Sequence, residues 1–223
     1  MSLDRYVKAR GGPNHITIYY TDDNRLMIRS GGTWTWRNNN PGNMRSGAYS
    51  KNNGCIGYSS GYAVFPTLEQ GEIALRDLLQ NGYKNASLQY TINRFAPEKD
   101  KNDPAKYLKF ILAKIGIKNP KTMMRELNQK QFEALVKAIK QFEGWEVGHT
   151  NLPLRITKVL KDPKKKIIVA YCVEKMGWVE KIQAIELSKS YKIDGVVARS
   201  RSGNLYIKTR HDVKITNNLG VLG

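Results

Sequence analysis

Residues 128–148, NQKQFEALVKAIKQFEGWEVG, are typical of a helix with both ends marked. Asn128 suits the N-cap, and Gln131 stands where a capping box places its return partner. Gly144 is the residue type that lets a helix stop in a left-handed turn. Between these ends, apolar side chains recur at helical spacing and form one stripe roughly 120° wide; they are Phe132, Leu135, Val136, Ile139 and Phe142. The stretch therefore predicts an amphipathic helix that packs on a core.

Glu143 falls inside this apolar stripe, in the last turn of the predicted helix. Burial and the negative end of the helix dipole both disfavour a charged carboxylate, so both raise its pKa. A carboxyl group that keeps its proton at neutral pH is suited to general acid catalysis. In the alternative interpretation, the side chain bends out to water at the fraying helix end.

Length and composition limit the possible classes of protein. With 223 residues, 40% of them hydrophobic, the chain can form one large or two small domains. No stretch approaches 18 consecutive apolar residues, so we expect no stable insertion in a membrane. The two cysteines and three histidines are scattered, which gives no support to a disulfide framework, a metal site or histidine-based catalysis.

The formal net charge is +18. Up to Gly148 there are 22 Lys+Arg against 13 Asp+Glu, and from His149 onward 15 against 6, so each part carries +9. The shorter C-terminal part is therefore twice as basic per residue. This balance predicts an anionic partner, such as nucleic acid, an acidic membrane surface or the anionic polymers of a bacterial envelope.

A long segment without carboxylates surrounds the block RNNNPGN at residues 37–43. Between Arg25 and Leu68 there is no Asp or Glu, whereas amides, glycines and aromatic residues are frequent. Amides hydrogen-bond hydroxyl and amide groups, and aromatic faces cover the apolar sides of sugar rings, so the segment suits a sugar chain. The alternative is a structural loop, rich in Asn and Gly, that binds no ligand.

The remaining pattern predicts an α+β protein. A β-hairpin over residues 16–28 and a strand over residues 61–65 precede helices over residues 67–83, 88–95 and 104–115. We expect a mainly helical domain at residues 1–148, a linker at 149–166 and a small basic β-rich domain at 167–223. Within the last, residues 179–190 predict one short helix.

Several motifs between Trp36 and Glu143 belong together. They are RNNNPGNM at residues 37–44, GYAVFPT at residues 61–67, Gly71 in the next helix and TINRFAP at residues 91–97. Together they resemble phage and secreted bacterial peptidoglycan-degrading domains. The closing helix is similar to theirs but lacks the Asn of their Glu-Asn-Gly-like ending.

The resemblance implies a lysozyme-like fold in which the substrate loop precedes the catalytic helix, so that the usual order is permuted. The segment from Arg37 to Phe65 must then fold back over the C-terminal end of the Asn128 helix. The catalytic residue would be Glu143. The implied substrate-binding residues are Arg37, Asn38, Asn39, Asn40, Asn43, Tyr62, Phe65 and Arg94.

A two-carboxylate glycosidase needs a second Asp or Glu near the acid. The loop offers none, which leaves Asp22, Asp23, Glu69, Glu72, Glu98 and Glu146. A one-carboxylate mechanism fits better. Resemblance to lytic transglycosylases implies that Glu143 protonates the bond between N-acetylmuramic acid (MurNAc) and N-acetylglucosamine (GlcNAc), then acts as base for the sugar's own hydroxyl, without cofactor or metal. A hydrolytic muramidase remains open.

The expected partner is the peptidoglycan glycan strand. The chain would act as a phage lysin, a virion protein or an antibacterial effector, the last with an immunity or delivery protein. Because the N-terminus lacks a signal pattern, we expect synthesis in the cytoplasm and non-classical delivery to the cell wall or periplasm. One alternative is a non-catalytic peptidoglycan-binding module. Another is a nucleic-acid-binding protein, which the low charge of the Asn-rich loop disfavours.

The C-terminal part resembles, more weakly, a small bacterial domain of unassigned function. The similarity lies in Ile182, in YIKT at residues 206–209 and in TNNL at residues 216–219. It implies no chemistry. The basic surface suggests targeting to anionic envelope polymers, and the alternative is a solvated surface without function.

Overall fold

The computed structural model describes residues 5–97 and 103–208, and it confirms an α+β fold with a β-rich C-terminal region. The helices are α1 (Trp34–Arg37), α2 (Ala48–Asn52), α3 (Leu68–Asp77), α4 (Leu88–Phe95), α5 (Pro104–Ile115), α6 (Gln129–Glu143) and α7 (Lys181–Lys189). The strands are β1 (Tyr6–Gly11), β2 (Thr17–Thr21), β3 (Leu26–Ser30), β4 (Gly57–Ser59), β5 (Tyr62–Val64), β6 (His149–Asn151), β7 (Ile156–Lys161), β8 (Ile168–Val173), β9 (Gly177–Glu180), β10 (Val196–Arg199) and β11 (Leu205–Lys208).

The chain divides into two compact units. The helical unit contains, among the described residues, Lys8–Thr17, 30–97 and 103–149. The tail unit contains, among the described residues, 5–7, Ile18–Arg29 and 150–208. The predicted domains followed chain order, whereas in the structure the β2–β3 hairpin belongs to the tail unit. Part of the predicted linker forms β7, which pairs with β8.

The helical unit is built on α3 to α6. Helix α6 has the predicted capping box: the Asn128 side chain accepts from the Gln131 backbone N–H at 2.9 Å, and Gln131 returns the bond at 3.1 Å. Its apolar stripe is buried against the other helices, which also contribute fully buried side chains. The shared core includes Leu75, Leu79, Ile92, Tyr107, Ile111, Leu135 and Ile139. Burial of this stripe supplies the main stabilisation of α6.

The β part of the helical unit is small. Strands β4 and β5 pair antiparallel, and β1 pairs parallel with β4 through Ala9 and Gly57. A Cβ atom on Gly57 would lie 1.8 Å from the Ala9 carbonyl oxygen, so only glycine allows this approach. The sequence predicted a loop at the positions of helices α1 and α2. It did so because helices of four and five residues are too short to show a periodic pattern of apolar side chains.

The tail unit contains the predicted hairpin, formed by β2 and β3, with a turn at residues 22–24, where Asn24 has a φ of 60°. Strands β7, β8 and β9 form an antiparallel sheet, and β10 pairs with β11. Helix α7 lies within the predicted range and buries Ala184 and Ile185. Residues 209–223 of the predicted β-rich domain, with Val213, Ile215 and the motif at 216–219, lie outside the described residues.

Across residues 5–97 and 103–208, no helix has both the length and the apolar character needed to cross a membrane.

Candidate active site

Glu143 is the last residue of α6, and α1 lies against this end of the helix. The Thr35 hydroxyl donates to the Gly144 carbonyl at 2.5 Å, and the Thr33 backbone N–H donates to the Glu146 carbonyl at 3.1 Å. Gly144 has the expected positive φ, 77°, but its ψ of 153° is extended. The predicted left-handed turn is therefore wrong: the chain leaves the helix extended and runs along α1.

Two side chains hold the Glu143 carboxyl group, one on each oxygen. Asn43 donates through Nδ2 to Oε2 at 2.9 Å, and the Tyr107 hydroxyl donates to Oε1 at 3.0 Å. The contact with Asn43 confirms that the Asn-rich loop folds back over the end of α6. Tyr107 is fully buried and stacks on Phe142, with ring centres 3.7 Å apart. The carboxyl group is thus fixed in orientation by a loop on one side and α5 on the other.

The surroundings favour the protonated form of Glu143. Burial raises its pKa, while the hydrogen bonds from Asn43 and Tyr107 act in the opposite direction with smaller effect. Burial, and then the nearby Glu143 charge, raise the pKa of the Tyr107 hydroxyl. Tyr107 therefore remains a hydrogen-bond donor, and Glu143 can carry a proton at a higher pH than an exposed glutamate.

Three of the predicted binding residues are scaffold residues. Asn38, Asn39 and Asn40 are each at most 4% exposed. Asn38 accepts from the Thr17 hydroxyl at 2.8 Å, and Asn39 donates to the carbonyls of residues 65 and 66 at 3.1 and 3.2 Å. Asn40 donates to the carbonyls of residues 44 and 63 and accepts from the residue 44 N–H, all at 2.9 Å. These amides shape the loop that carries Asn43.

Arg37 and Phe65 are also buried. Arg37 donates through Nη1 to the carbonyls of Gly31 and Gly32, both at 2.6 Å, and its guanidinium lies 4.1 Å from the centre of a Trp34 ring. Phe65 is fully buried in the core of the helical unit. Both side chains are thus held inside the helical unit and are not presented to a ligand.

Tyr62 belongs to a partly exposed group of aromatic rings. Its ring centre lies 6.4 Å from that of Trp34, and the His15 ring meets Trp34 edge-on at 5.7 Å. The Arg45 guanidinium lies 5.3 Å from the Tyr62 ring centre. Such rings offer apolar faces on which a sugar can stack.

Arg94 and Asn43 line a common cleft of about 480 Å³, a size typical of ligand sites. Sequence reasoning missed other residues that line it, and it also missed Tyr107 as a partner of Glu143. One signal was present for Tyr107: a tyrosine on an apolar helix face needs a partner for its hydroxyl. The missed lining residues are Met44, Arg45, Ser50, Leu78, Tyr83, Asn93 and Phe95, whereas Tyr49 is one of the aromatic residues of the segment predicted to suit a sugar chain.

The carboxylates considered as second catalytic groups have other surroundings. Glu72 forms an ion pair with Lys140, and Asp23 pairs with Arg25 at 2.9 Å. Asp22 is exposed in the tail unit, Glu69 lies in the first turn of α3, and Glu146 is exposed. Glu98 lies outside the described residues.

Comparison with protein families gives a match for the C-terminal part. The family described as "protein of unknown function (DUF3892)" matches residues 155–223, and no curated protein matches the chain. This agrees with the resemblance of the tail to a small domain of unassigned function, and the family description names no activity. The C-terminal part is thus similar to DUF3892.

Proposed function

We propose that the helical unit is a lysozyme-like domain that cleaves peptidoglycan glycan strands, with Glu143 as its single general acid and base. The observation that carries this proposal is the Glu143 carboxyl group, which is partly buried at a helix end and held by Asn43 and Tyr107. Asn43 comes from the Asn-rich block whose motif resembles peptidoglycan-degrading domains.

In the proposed reaction, the protonated Glu143 donates to the oxygen that links MurNAc to GlcNAc, and the bond from that oxygen to C1 of MurNAc breaks. The C6 hydroxyl of the same MurNAc then attacks C1, and the Glu143 carboxylate takes the hydroxyl proton. The products are a 1,6-anhydro-MurNAc end and a GlcNAc with a free 4-hydroxyl. Glu143 regains its proton, so the cycle closes without water or a cofactor.

Burial and the hydrogen bonds to Glu143 suit different halves of this cycle. Burial raises the pKa of Glu143 and so favours the acid form before the bond breaks. Once the proton has left, the donors Asn43 and Tyr107 stabilise the carboxylate. Each carboxyl oxygen has a second lone pair position, so these bonds leave room for the proton that is transferred.

The sugar would lie on partly exposed groups beside this carboxyl group. The Trp34 and Tyr62 rings provide apolar faces, and the cleft that begins at Asn43 provides polar groups. We further propose that the protein acts at the bacterial cell wall as a phage lysin, virion protein or antibacterial effector. The tail unit would then bind anionic envelope polymers.

Digestion of purified peptidoglycan tests the proposal. Wild type should release muropeptides with anhydro ends, and Glu143→Gln should reduce the rate by roughly 10²- to 10⁴-fold. Glu133→Gln is the matched control, because this glutamate lies on the same helix and pairs with Arg76 at 2.7 Å; it should retain the activity.

Other outcomes would change the assignment. Reducing ends, detected by mass analysis, would mean hydrolysis and would require a second carboxylate or a bound water as nucleophile. If folded wild type binds peptidoglycan but releases nothing, the catalytic proposal fails and the chain is a binding module.

A further inference from the structure

One aromatic ring in the cleft that begins at Asn43 is also packed against the protein. Tyr49 lies in α2, lines the cleft and is half-buried. The hydroxyl end of its ring packs near Gly82, where a Cβ atom would lie 3.6 Å from Tyr49 Cε2. Gly82 ends the π-helical turn Leu78–Gly82, which follows α3. The Tyr49 ring therefore has support from the α3 segment and still borders the cleft.

A carboxylate fixes the hydroxyl end of this ring. The Tyr49 hydroxyl donates a hydrogen bond to Asp77 Oδ2, and Asn81 Nδ2 donates to Asp77 Oδ1 at 2.5 Å. The bond from Tyr49, followed by that from Asn81, lowers the pKa of Asp77, which therefore stays charged. Burial, and then the bond to Asp77, raise the pKa of the Tyr49 hydroxyl, which therefore stays a donor. A hydrogen bond to a charged acceptor is strong enough to hold the ring in one orientation.

The chemistry of the cleft wall suits a sugar ring. Tyr83 and Phe95 also line it, with ring centres 5.9 Å apart, and the exposed Asn93 adds an amide. Because the Tyr49 hydroxyl donates its proton to Asp77, Tyr49 offers a ligand its ring and not this donor. Aromatic faces combined with a few polar groups are typical of sites for sugars.

Two residues connect this cleft to the proposed catalytic site. Asn43 lines the cleft and donates to Glu143 at 2.9 Å. Arg45 also lines it, and its guanidinium lies 5.3 Å from the centre of the Tyr62 ring, which neighbours Trp34. A glycan strand that lies on Trp34 and Tyr62 beside Glu143 can therefore continue into the cleft.

We propose that Tyr49 is the stacking surface of a second sugar subsite, away from the cleaved bond, and that Asp77 is a positioning residue that acts through Tyr49. The inference rests on the proposed function, because it takes the ligand to be a glycan strand. A ring that is already fixed loses less conformational entropy when a ligand binds, so the bond to Asp77 should increase affinity.

Calorimetric titration of the chain with Glu143→Gln tests the subsite without turnover. The ligand is a soluble, peptide-free octasaccharide of alternating GlcNAc and MurNAc. Adding Tyr49→Ala should weaken binding by about tenfold, because it removes an aromatic contact. Adding Tyr49→Phe, which keeps the ring and loses the bond to Asp77, should weaken it by about threefold. Tyr90→Ala is the matched control: this tyrosine of α4 is exposed and outside the described cleft wall, so the affinity should not change.

A double-variant cycle tests the role of Asp77. Asp77→Ala should weaken binding about as much as Tyr49→Phe, and the two changes together should weaken it no more than either alone, because both remove the same bond. Independent contributions would multiply instead. A residue that only stabilises the fold would change the unfolding transition and leave the affinity of the folded protein unchanged.

Unchanged affinity in folded Tyr49→Ala, or no binding of the octasaccharide, would overturn the inference. Multiplied effects of Tyr49→Phe and Asp77→Ala, or unchanged affinity in Asp77→Ala, would overturn the part assigned to Asp77. Digestion of peptidoglycan by wild type reports on the proposed function separately. Binding that depends on Tyr49, without any digestion, would reject the catalytic proposal and retain the subsite.

Discussion

Two parts of one short loop use the same side chain for opposite purposes. The amides at residues 38–40 point into the protein and bind its backbone and Thr17, whereas Asn43 turns toward Glu143 and the cleft. The turn at Pro41 and Gly42 separates them, and Asn43 follows it with a φ of 45°, in the left-handed region. A residue type suited to sugar binding can therefore serve as scaffold, and its position relative to the turn decides which.

The largest expected loss of stability comes from displacing the buried Asn side chains at residues 38–40. A Cβ atom on Gly71 of α3 would lie 1.9 Å from the Asn39 carbonyl oxygen, so Gly71→Ala must displace the loop. We expect a loss of about 3 kcal/mol in the free energy of unfolding. Denaturant unfolding measures it.

Gly47→Ala is the control for this substitution. Gly47 has an extended φ of 168° and no atom within 4 Å of the added carbon, so its unfolding free energy should change by less than about 0.5 kcal/mol. Equal losses for the two variants would show that close packing of α3 on the loop does not hold residues 38–40 in place.

Truncation of single amides separates the two roles directly. Asn40→Ala removes three buried hydrogen bonds to the backbone of residues 44 and 63, among them the one that the Met44 N–H donates, and should cost about 3 kcal/mol of stability. Asn43→Gly, which keeps the left-handed backbone without strain, should cost less than about 1 kcal/mol, but it should lower kcat/KM for peptidoglycan by roughly tenfold or more. Thermal unfolding and digestion rates, measured on both variants, test the contrast. Similar profiles for the two variants would contradict the distinction between scaffold and site.

The smallest effect is a shift in pH dependence. The Tyr107 hydroxyl donates to Glu143 and lowers its pKa, against the larger effect of burial. Tyr107→Phe removes that bond, so the pKa of Glu143 should rise and the alkaline limb of kcat/KM, where the acid loses its proton, should move to higher pH.

Tyr171→Phe is the matched control, because it also removes a buried hydroxyl, one that accepts from the Ile207 N–H at 2.9 Å. It should cost about 1 kcal/mol of stability and leave the alkaline limb unchanged. A limb that stays in place in Tyr107→Phe would mean that another group sets the pH dependence.

Local signals predicted the long helices well. Helix α4 has the predicted bounds of residues 88–95, α5 begins at Pro104 after its Asp103 cap, and α6 has both halves of its capping box. Caps and apolar spacing are properties of adjacent residues, so no tertiary contact is needed to recognise them. The short helices α1 and α2 gave no such signal, since four or five residues cannot show a period.

The sequence by itself determined the α+β class, the main helices, the position of Glu143 at the end of an apolar stripe, and the loop that would meet it. The tertiary structure alone decided which amides face inward, that Tyr107 is the second donor to Glu143, and that the β2–β3 hairpin belongs to the tail unit. The physical reason is distance along the chain: Asn43 and Glu143 are 100 residues apart, and Tyr107 and Glu143 are 36 apart. Contacts at such separations depend on how whole elements pack, which no local pattern encodes.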